Sequence, residues 1–304
     1  MRVARKAKLK IHSRTEEKKF VKRLRLARWV LALARVVRGK PVSRLISRFC
    51  YFGPDPDDRL QVIAPYHHDL LMHLDVESWV ERKILCTGYF ERWVDDFLTR
   101  CLKPGYVALD VGANIGCHTL VMASAVGQSG RVLAFEPNPR VFARLQANIR
   151  LNRFANVDAF PVALSHQKEQ QTLFIPGAAN CNQGLASMHR ANLDAGCEEV
   201  PVVTLTVDEV VQQQKLQRVD LLKVDVEGHE WQVFLGARET LARFRPVLVF
   251  EFSERQWRNG GFTPADVEAF MAEQGYELFV MRRGSTTSIR YGVAEECDLL
   301  ALPK

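Results

Sequence analysis

Two short stretches of this chain combine residue types and spacings that could do chemistry. The first is Asp110-Val-Gly112-Ala-Asn114-Ile-Gly116, with Glu136 standing 20 residues after Gly116. Glycine lets a backbone turn tightly, and the start of a following helix offers free N–H groups. A dinucleotide fingerprint starting at Gly112 needs glycines at 114 and 117, where Asn114 and Cys117 stand. The Gly-Lys-Ser/Thr ending of a phosphate-binding loop is also absent. Asp110, two residues before the first glycine, can accept from an ammonium group and would repel a diphosphate. Glu136 can accept from both hydroxyls of a ribose. Together they specify a ligand with a cationic end and a free ribose. S-adenosylmethionine meets both demands; NADP and ATP do not. Taken singly, the two acids read equally well as a capping Asp and a surface Glu.

The second stretch is Lys223-Val-Asp225-Val-Glu227-Gly228-His229-Glu230. On a strand, residues 223, 225 and 227 share one face, and unpaired charge inside a core is costly. These side chains therefore line a cleft or pair with one another. Asp225, Glu227 and His229 are the candidate catalytic residues, placed to orient and deprotonate an acceptor hydroxyl. The plainer readings are a cofactor contact for Asp225, pairing with Lys223 for Glu227, and a helix start for His229. Asp225, Glu227 and His229 could also hold a divalent ion. Gly228 breaks the strand before His229, so no metal site is expected. Glu251, after the apolar run Val247–Phe250, is a candidate acceptor contact with Trp257 nearby; an exposed turn is the alternative.

The surrounding sequence must place these tips together. From Val107 onward strands and helices alternate: Val107–Asp110, a helix over 115–126, Arg131–Phe135, a helix carrying Val141, Leu145 and Ile149, and Val157–Phe160. Further strands are expected at Val219–Val226, Pro246–Phe252, Tyr276–Val280 and Asp298–Ala301. Helices are expected at Trp231–Leu235, at Ala237–Arg243 and after Thr263-Pro264. Strands separated by helices build a mainly parallel sheet, whose ligands bind beyond the carboxyl ends of the strands. Residues 51–106 read as a hairpin followed by one helix over Ser78–Leu102. The segment Pro176–Glu199 reads as a long binding loop.

DVGANIGCHTL, FEPNP, PVALS and KVDVEGHE occur here in order, and with TGYFE (87–91) and NQGLAS (182–187) the chain resembles FkbM-type S-adenosylmethionine-dependent methyltransferases. The resemblance covers about Thr87 to Tyr276. It implies an α/β class I methyltransferase fold, Rossmann-like, with helices on both faces of a mostly parallel seven-stranded sheet whose last strand is antiparallel. It implies Gly112, Asn114 and Gly116 around the methionine moiety, Glu136 on the ribose and Ala163 near the adenine. Asn182, Gly184 and Ser187 would shape the acceptor pocket, with Tyr89 and Glu91 as weaker candidates. The domain organisation expected is a basic extension (1–50), a preceding segment (51–106) and the methyltransferase domain (107–304).

Of 304 residues, 47% are hydrophobic and 25% charged, an ordinary globular composition. The net charge of +7 is unevenly spread. The first 50 residues hold 17 basic and 2 acidic side chains, so the remainder is net acidic. Residues 18–38 read as a basic amphipathic helix suited to an anionic membrane surface; a solvated tail or a transit peptide fits the same pattern. Seven cysteines without a CxxC pair suggest reduced thiols and a cytoplasmic protein, and the basic helix would set it peripherally on a membrane's inner face. The expected activity is O-methylation of a sugar, glycolipid or small-molecule hydroxyl. The rivals are an RNA ribose 2′-O-methyltransferase using the basic extension and a non-catalytic cofactor-binding scaffold. Nucleic-acid binding is disfavoured by the acidic body. Base-methylating signatures, Asn/Asp-Pro-Pro-aromatic or a Pro-Cys nucleophile, are missing.

Overall fold

A computed structural model describes residues 61–75, 78–177, 185–193, 196–282, 285–288 and 296–304. The basic extension, including the helix expected at 18–38, lies outside the described residues, as do Asn182 and Gly184.

The described chain opens with a hairpin, β1 (Gln61–Tyr66) and β2 (Leu70–Asp75). Two helices follow, α1 (Trp79–Thr87) and α2 (Arg92–Cys101), where one was expected. The break is at Gly88, whose left-handed φ of 79° lets its N–H close on the Ile84 carbonyl and end α1. The alternation then runs β3 (Val107–Val111), α3 (Cys117–Val126), β4 (Arg131–Phe135), α4 (Pro139–Leu151) and β5 (Val157–Phe160). Next come β6 (Ala163–Leu164), β7 (Gln170–Pro176), β8 (Cys197–Leu205), α5 (Val207–Gln213), β9 (Leu221–Val224), α6 (Glu230–Leu235) and α7 (Arg238–Phe244). β10 (Val247–Phe252), α8 (Glu254–Asn259), α9 (Pro264–Glu273), β11 (Tyr276–Arg282), β12 (Ser285–Ser288) and β13 (Cys297–Pro303) complete it. Helix α9 starts as its sequence demands: Thr263 and Asp266 form a capping box, with Pro264 in the first turn.

The main sheet has the order β12-β11-β13-β10-β9-β3-β4-β5. β10, β9, β3, β4 and β5 are mutually parallel, and β13 runs antiparallel to both β10 and β11. This is the expected seven-stranded arrangement, and short β12 adds an eighth strand antiparallel to β11. Successive strands step outward from β3 in one direction and from β9 in the other. The crevice between the tips of β3 and β9 is therefore the topological switch point where ligands of such sheets bind.

Alternate side chains along each strand feed two cores. Leu109, Val111, Leu133, Phe135, Leu222 and Phe250 pack with α5, α6, α7 and α9 on one face. Ala108, Val132, Ala134, Leu221 and Val249 pack with α2, α3, α4 and the hairpin on the other. The segment Pro176–Glu199 is less of a loop than expected. Its ends belong to β7 and β8, which pair from Gln170↔Val203 to Pro176↔Cys197 in a small three-stranded sheet with β6. Pro201 and the adjacent glutamates of β8 hid that strand from a reading based on apolar runs. Trp257 is a core residue rather than an acceptor contact: it is 1% exposed and its ring lies against Phe250, Phe252 and Phe262.

Candidate active site

A cavity of about 320 Å³ opens at the switch point. One end is walled by the turn Gly112–Ile115, Glu136 and Val162–Ala163; the other by Asp225, Glu227, His229 and Glu251. Residues from the helical segment before the sheet, Lys83, Phe90 and Glu91, close a third side.

The first end is built from backbone. Gly112 and Ala113 donate their amides to the Phe135 carbonyl, so the turn after β3 is fastened to the end of β4. Asn114 is left-handed (φ 50°), and its amide donates to Glu136 Oε2 at 2.9 Å. The Asn138 amide donates to Glu136 Oε1, also at 2.9 Å. Burial nevertheless pushes the Glu136 carboxyl up to about 7, against those two amides, which hold it down. Gly112 is required for a reason the sequence did not show. A Cβ there would lie 1.8 Å from the Asp225 carbonyl oxygen, so the residue is glycine to let the β3 and β9 loops touch. Gly116 is not part of the cavity lining; it caps α3 at φ 96°, where a Cβ would meet Leu145.

Asp110 departs from its expected role. It is 1% exposed and stands behind the cavity wall rather than in it. Thr119 donates to its Oδ2 at 2.5 Å, and the Lys223 ammonium lies 3.7 Å from its Oδ1. The same ammonium lies 3.0 Å from Asp225 Oδ2. Burial opposes the Lys223 charge, but Asp225 and Asp110 outweigh it and hold the lysine protonated, above its ordinary range. Asp225 lines the cavity, and its backbone carbonyl lies against Gly112.

The second end is built from side chains and is crowded with acid. Oxygens of Asp225, Glu227 and Glu251 lie within 4.8 Å of one another. Glu227 does not continue the strand: β9 ends at Val224, and Glu227 is left-handed (φ 52°). Its Oε2 accepts from Gln256 Nε2 at 2.6 Å, not from Lys223. Burial and then the Asp225 charge push Glu227 up to about 8, against the Gln256 hydrogen bond. Burial, followed by Asp225 and Glu227, also drives Glu251 well above the carboxylate range.

The Glu227 backbone is held from a distance. Ser187 Oγ donates to its carbonyl at 2.8 Å and Asn192 Nδ2 at 2.7 Å. Ser187, expected in the acceptor pocket, is fully buried and acts on this loop instead; its neighbours Leu185, Ala186 and Met188 line the cavity. His229 has both ring nitrogens engaged, Nε2 with Ser165 Oγ at 3.0 Å and Nδ1 with His189 Nε2 at 3.1 Å. Burial and the two neighbouring histidines, His189 and His166, lower it to about 3. It is a neutral wall residue with no free nitrogen for a substrate. The set weighed for a metal, Asp225, Glu227 and His229, is therefore not the one that converges; Glu251 takes the place of His229.

Sequence reasoning missed His118, Gln256 and Asn192. His118, in the first turn of α3, lines the cavity and is bracketed by Asp95 at 3.0 Å and Glu91 at 3.2 Å. Burial disfavours its charge, but hydrogen bonds to Asp95 and Glu91 prevail and raise it to about 10. Its position directly after the glycine turn was a usable signal. Gln256 and Asn192 act from 29 and 35 residues away, and no spacing rule reaches that far. Glu91, a weaker candidate, does line the cavity; Tyr89 packs on His67 and Arg92 instead.

Residues 110–278 match the methyltransferase FkbM domain. The chain is 28% identical over 251 residues to the AMB antimetabolite synthetase AmbE of Pseudomonas aeruginosa, covering 68% of this chain and 12% of that one. It is 29% identical over 168 residues to the hexuronic acid methyltransferase AglP of Haloferax volcanii, covering 55% and 62%. It is 32% identical over 171 residues to the 31-O-demethyl-FK506 methyltransferase FkbM of Streptomyces tacrolimicus, covering 48% and 65%. The chain thus spans less than two thirds of each of these relatives.

Proposed function

The chain belongs to the methyltransferase FkbM family, and from that premise we propose that it transfers a methyl group from S-adenosylmethionine to a hydroxyl of a sugar or small-molecule acceptor. One observation carries the reading. A single cavity joins a turn with Glu136 at its edge to a cluster of three carboxylates. The donor set suits the cofactor: Glu136 for ribose hydroxyls, the Val162–Ala163 wall for adenine, and Asp225 beside Gly112 for the cationic methionine end. Asp110 serves through Lys223 and Asp225 rather than by contact. S-adenosylmethionine, when bound, supplies an electrophilic methyl on a sulfonium.

Transfer needs the acceptor oxygen in line with that methyl and free of its proton. Orientation contributes heavily to such reactions. The loop over 225–228, clamped by Ser187, Asn192 and Gln256, fixes where the acceptor oxygen rests. The carboxylates there take up its proton, and a carboxyl raised towards neutrality, as Glu227 is, suits a general base. A hydroxyl acceptor is favoured because the acidic end would hold an amine as its unreactive cation. The relative named for a 31-O-demethyl compound points to oxygen as well, and the one named for a hexuronic acid points to a sugar.

None of the described helices is long and apolar enough to cross a membrane. Contact of residues 18–38 with an anionic surface, and with it access to a lipid-linked glycan, belongs to this proposal.

Calorimetry with S-adenosylhomocysteine tests the cofactor end. Binding by the wild-type chain, weakened at least tenfold in Glu136→Ala, is expected. No binding by folded wild-type protein, or equal binding by the variant, would overturn the reading. Labelled methyl transfer to hexuronic-acid glycans, with RNA as a parallel acceptor, tests the other end; label on RNA alone would replace the sugar acceptor.

A further inference from the structure

We infer that Asp225, Glu227 and Glu251 form a binding site for one hard divalent cation, Mg²⁺ or Mn²⁺, at the acidic end of the cavity.

The spacing is that of a shared ion. Each residue offers one oxygen, and the three oxygens lie within 4.8 Å of one another. Oxygens that ligate one ion at roughly 2.0–2.4 Å cannot stand further apart than about twice that distance. The three come from different places in the sheet: Asp225 and Glu227 from the loop after β9, Glu251 from within β10. Two neighbouring strand tips thus converge on one point, whereas solvated acids on one loop would splay apart.

An independent observation lies at Glu251. Its Oε2 is sealed from solvent and has no hydrogen-bond partner among the described residues. A buried acceptor left unpaired is costly and rare. Glu251 also lines the cavity, together with Asp225 and Glu227. The described protein supplies little counter-charge. Lys223 is shared between Asp110 and Asp225, and Glu227 receives only the neutral Gln256 amide. A divalent cation would supply both the missing partner for Glu251 and the missing charge.

The donor set selects the ion. Three carboxylate oxygens are hard ligands, suited to Mg²⁺, Mn²⁺ or Ca²⁺ rather than to zinc or copper. Mg²⁺ keeps several waters when bound, and the cavity leaves room on the open side. Bound there, the cation would act as a Lewis acid on an acceptor oxygen and lower its pKa. That role rests on the methyl-transfer reading; the site itself does not.

Titrating the full chain into Mn²⁺, followed by loss of the free-ion electron paramagnetic resonance signal, tests the site without any turnover. Saturable binding of one equivalent, displaced by excess Mg²⁺, is expected. Glu251→Gln and Glu227→Gln should each weaken it at least tenfold. Glu273→Gln, on the far exposed end of α9, should not change it. No saturable binding by folded wild-type protein would overturn the inference, as would equal affinity in both site variants. If Glu251→Gln fails to fold, the wild-type titration and Glu227→Gln still decide. Displacement of Mn²⁺ by a monovalent amine but not by Mg²⁺ would mean the cluster holds an organic cation, and would overturn the metal assignment. A parallel titration with S-adenosylhomocysteine separates the two readings. Cofactor binding without Mn²⁺ binding removes only the cation, and Mn²⁺ binding without cofactor removes only the methyltransferase reading.

Discussion

The two ends of the cavity are built on opposite principles. At the glycine turn, backbone amides from two loops converge on one carboxylate, Glu136, and each Glu136 oxygen accepts from an amide. At the β9 and β10 tips, three carboxylates converge with one shared lysine and one amide among them. The first arrangement is complete without a ligand. The second crowds three acids whose ionisation burial and their mutual repulsion oppose, which gives a bound cation or substrate something to relieve. A binding end can be preformed; a reacting end is kept out of balance.

Lys223 is where the two ends meet, and breaking it should have the largest effect. In Lys223→Met, Asp110 and Asp225 lose their common counter-charge in a buried setting. Removing one partner of such a pair costs about 3–5 kcal/mol. Denaturant unfolding should show that loss, and a change below 1 kcal/mol would mean the two ends are electrostatically separate.

The acidic end should also show itself in the pH dependence of stability. Glu227 is raised from 4.5 to about 8, so its contribution is full below about 4.5 and is lost as pH rises through 8. His229 is lowered from 6.5 to about 3, so its contribution is full above 6.5 and is lost as pH falls towards 3. These two effects cancel between about pH 4.5 and 6.5, and above 6.5 Glu227 alone costs the ligand-free protein roughly 2 kcal/mol by pH 8. Melting curves of Glu227→Gln should lose this alkaline fall; an unchanged fall would place its origin elsewhere.

Gly112→Ala tests the contact that brings the ends together. Its Cβ would drive into the Asp225 carbonyl at a left-handed φ of 79°, and overpacking of this kind costs about 1–3 kcal/mol. Cofactor binding and turnover should both fall, since the displaced loop carries the acids. Loss of cofactor binding with normal turnover at saturation would show that the loops do not depend on each other.

The smallest change expected is in Ser187→Ala. It removes the hydrogen bond to the Glu227 carbonyl, worth about 1 kcal/mol, together with those that Ser187 Oγ accepts from the His189 amide and Asn192 Nδ2. The acceptor KM and kcat should worsen while S-adenosylhomocysteine affinity stays constant. A fall in cofactor affinity would erase the distinction between the ends.

Much of this was fixed locally, and so could be read from the chain. The apolar runs set strands β3, β4 and β5, because burial on both faces of a parallel sheet demands continuous apolar residues. Thr263, Pro264 and Asp266 set the start of α9, because a capping box is closed within one turn. Asp110, Glu136, Asp225 and Glu251 could be picked out because a charge at the end of a buried strand must be used or paired. What only the tertiary structure decided was which charge is used and which is paired. Lys223 pairs with Asp110 behind the cavity wall and with Asp225, which lines it. Gly112 exists for the sake of a carbonyl 113 residues away, and Ser187, Asn192 and Gln256 hold Glu227 from separate elements. Such partnerships arise where strand tips and loops meet in space, and sequence spacing carries no record of that meeting.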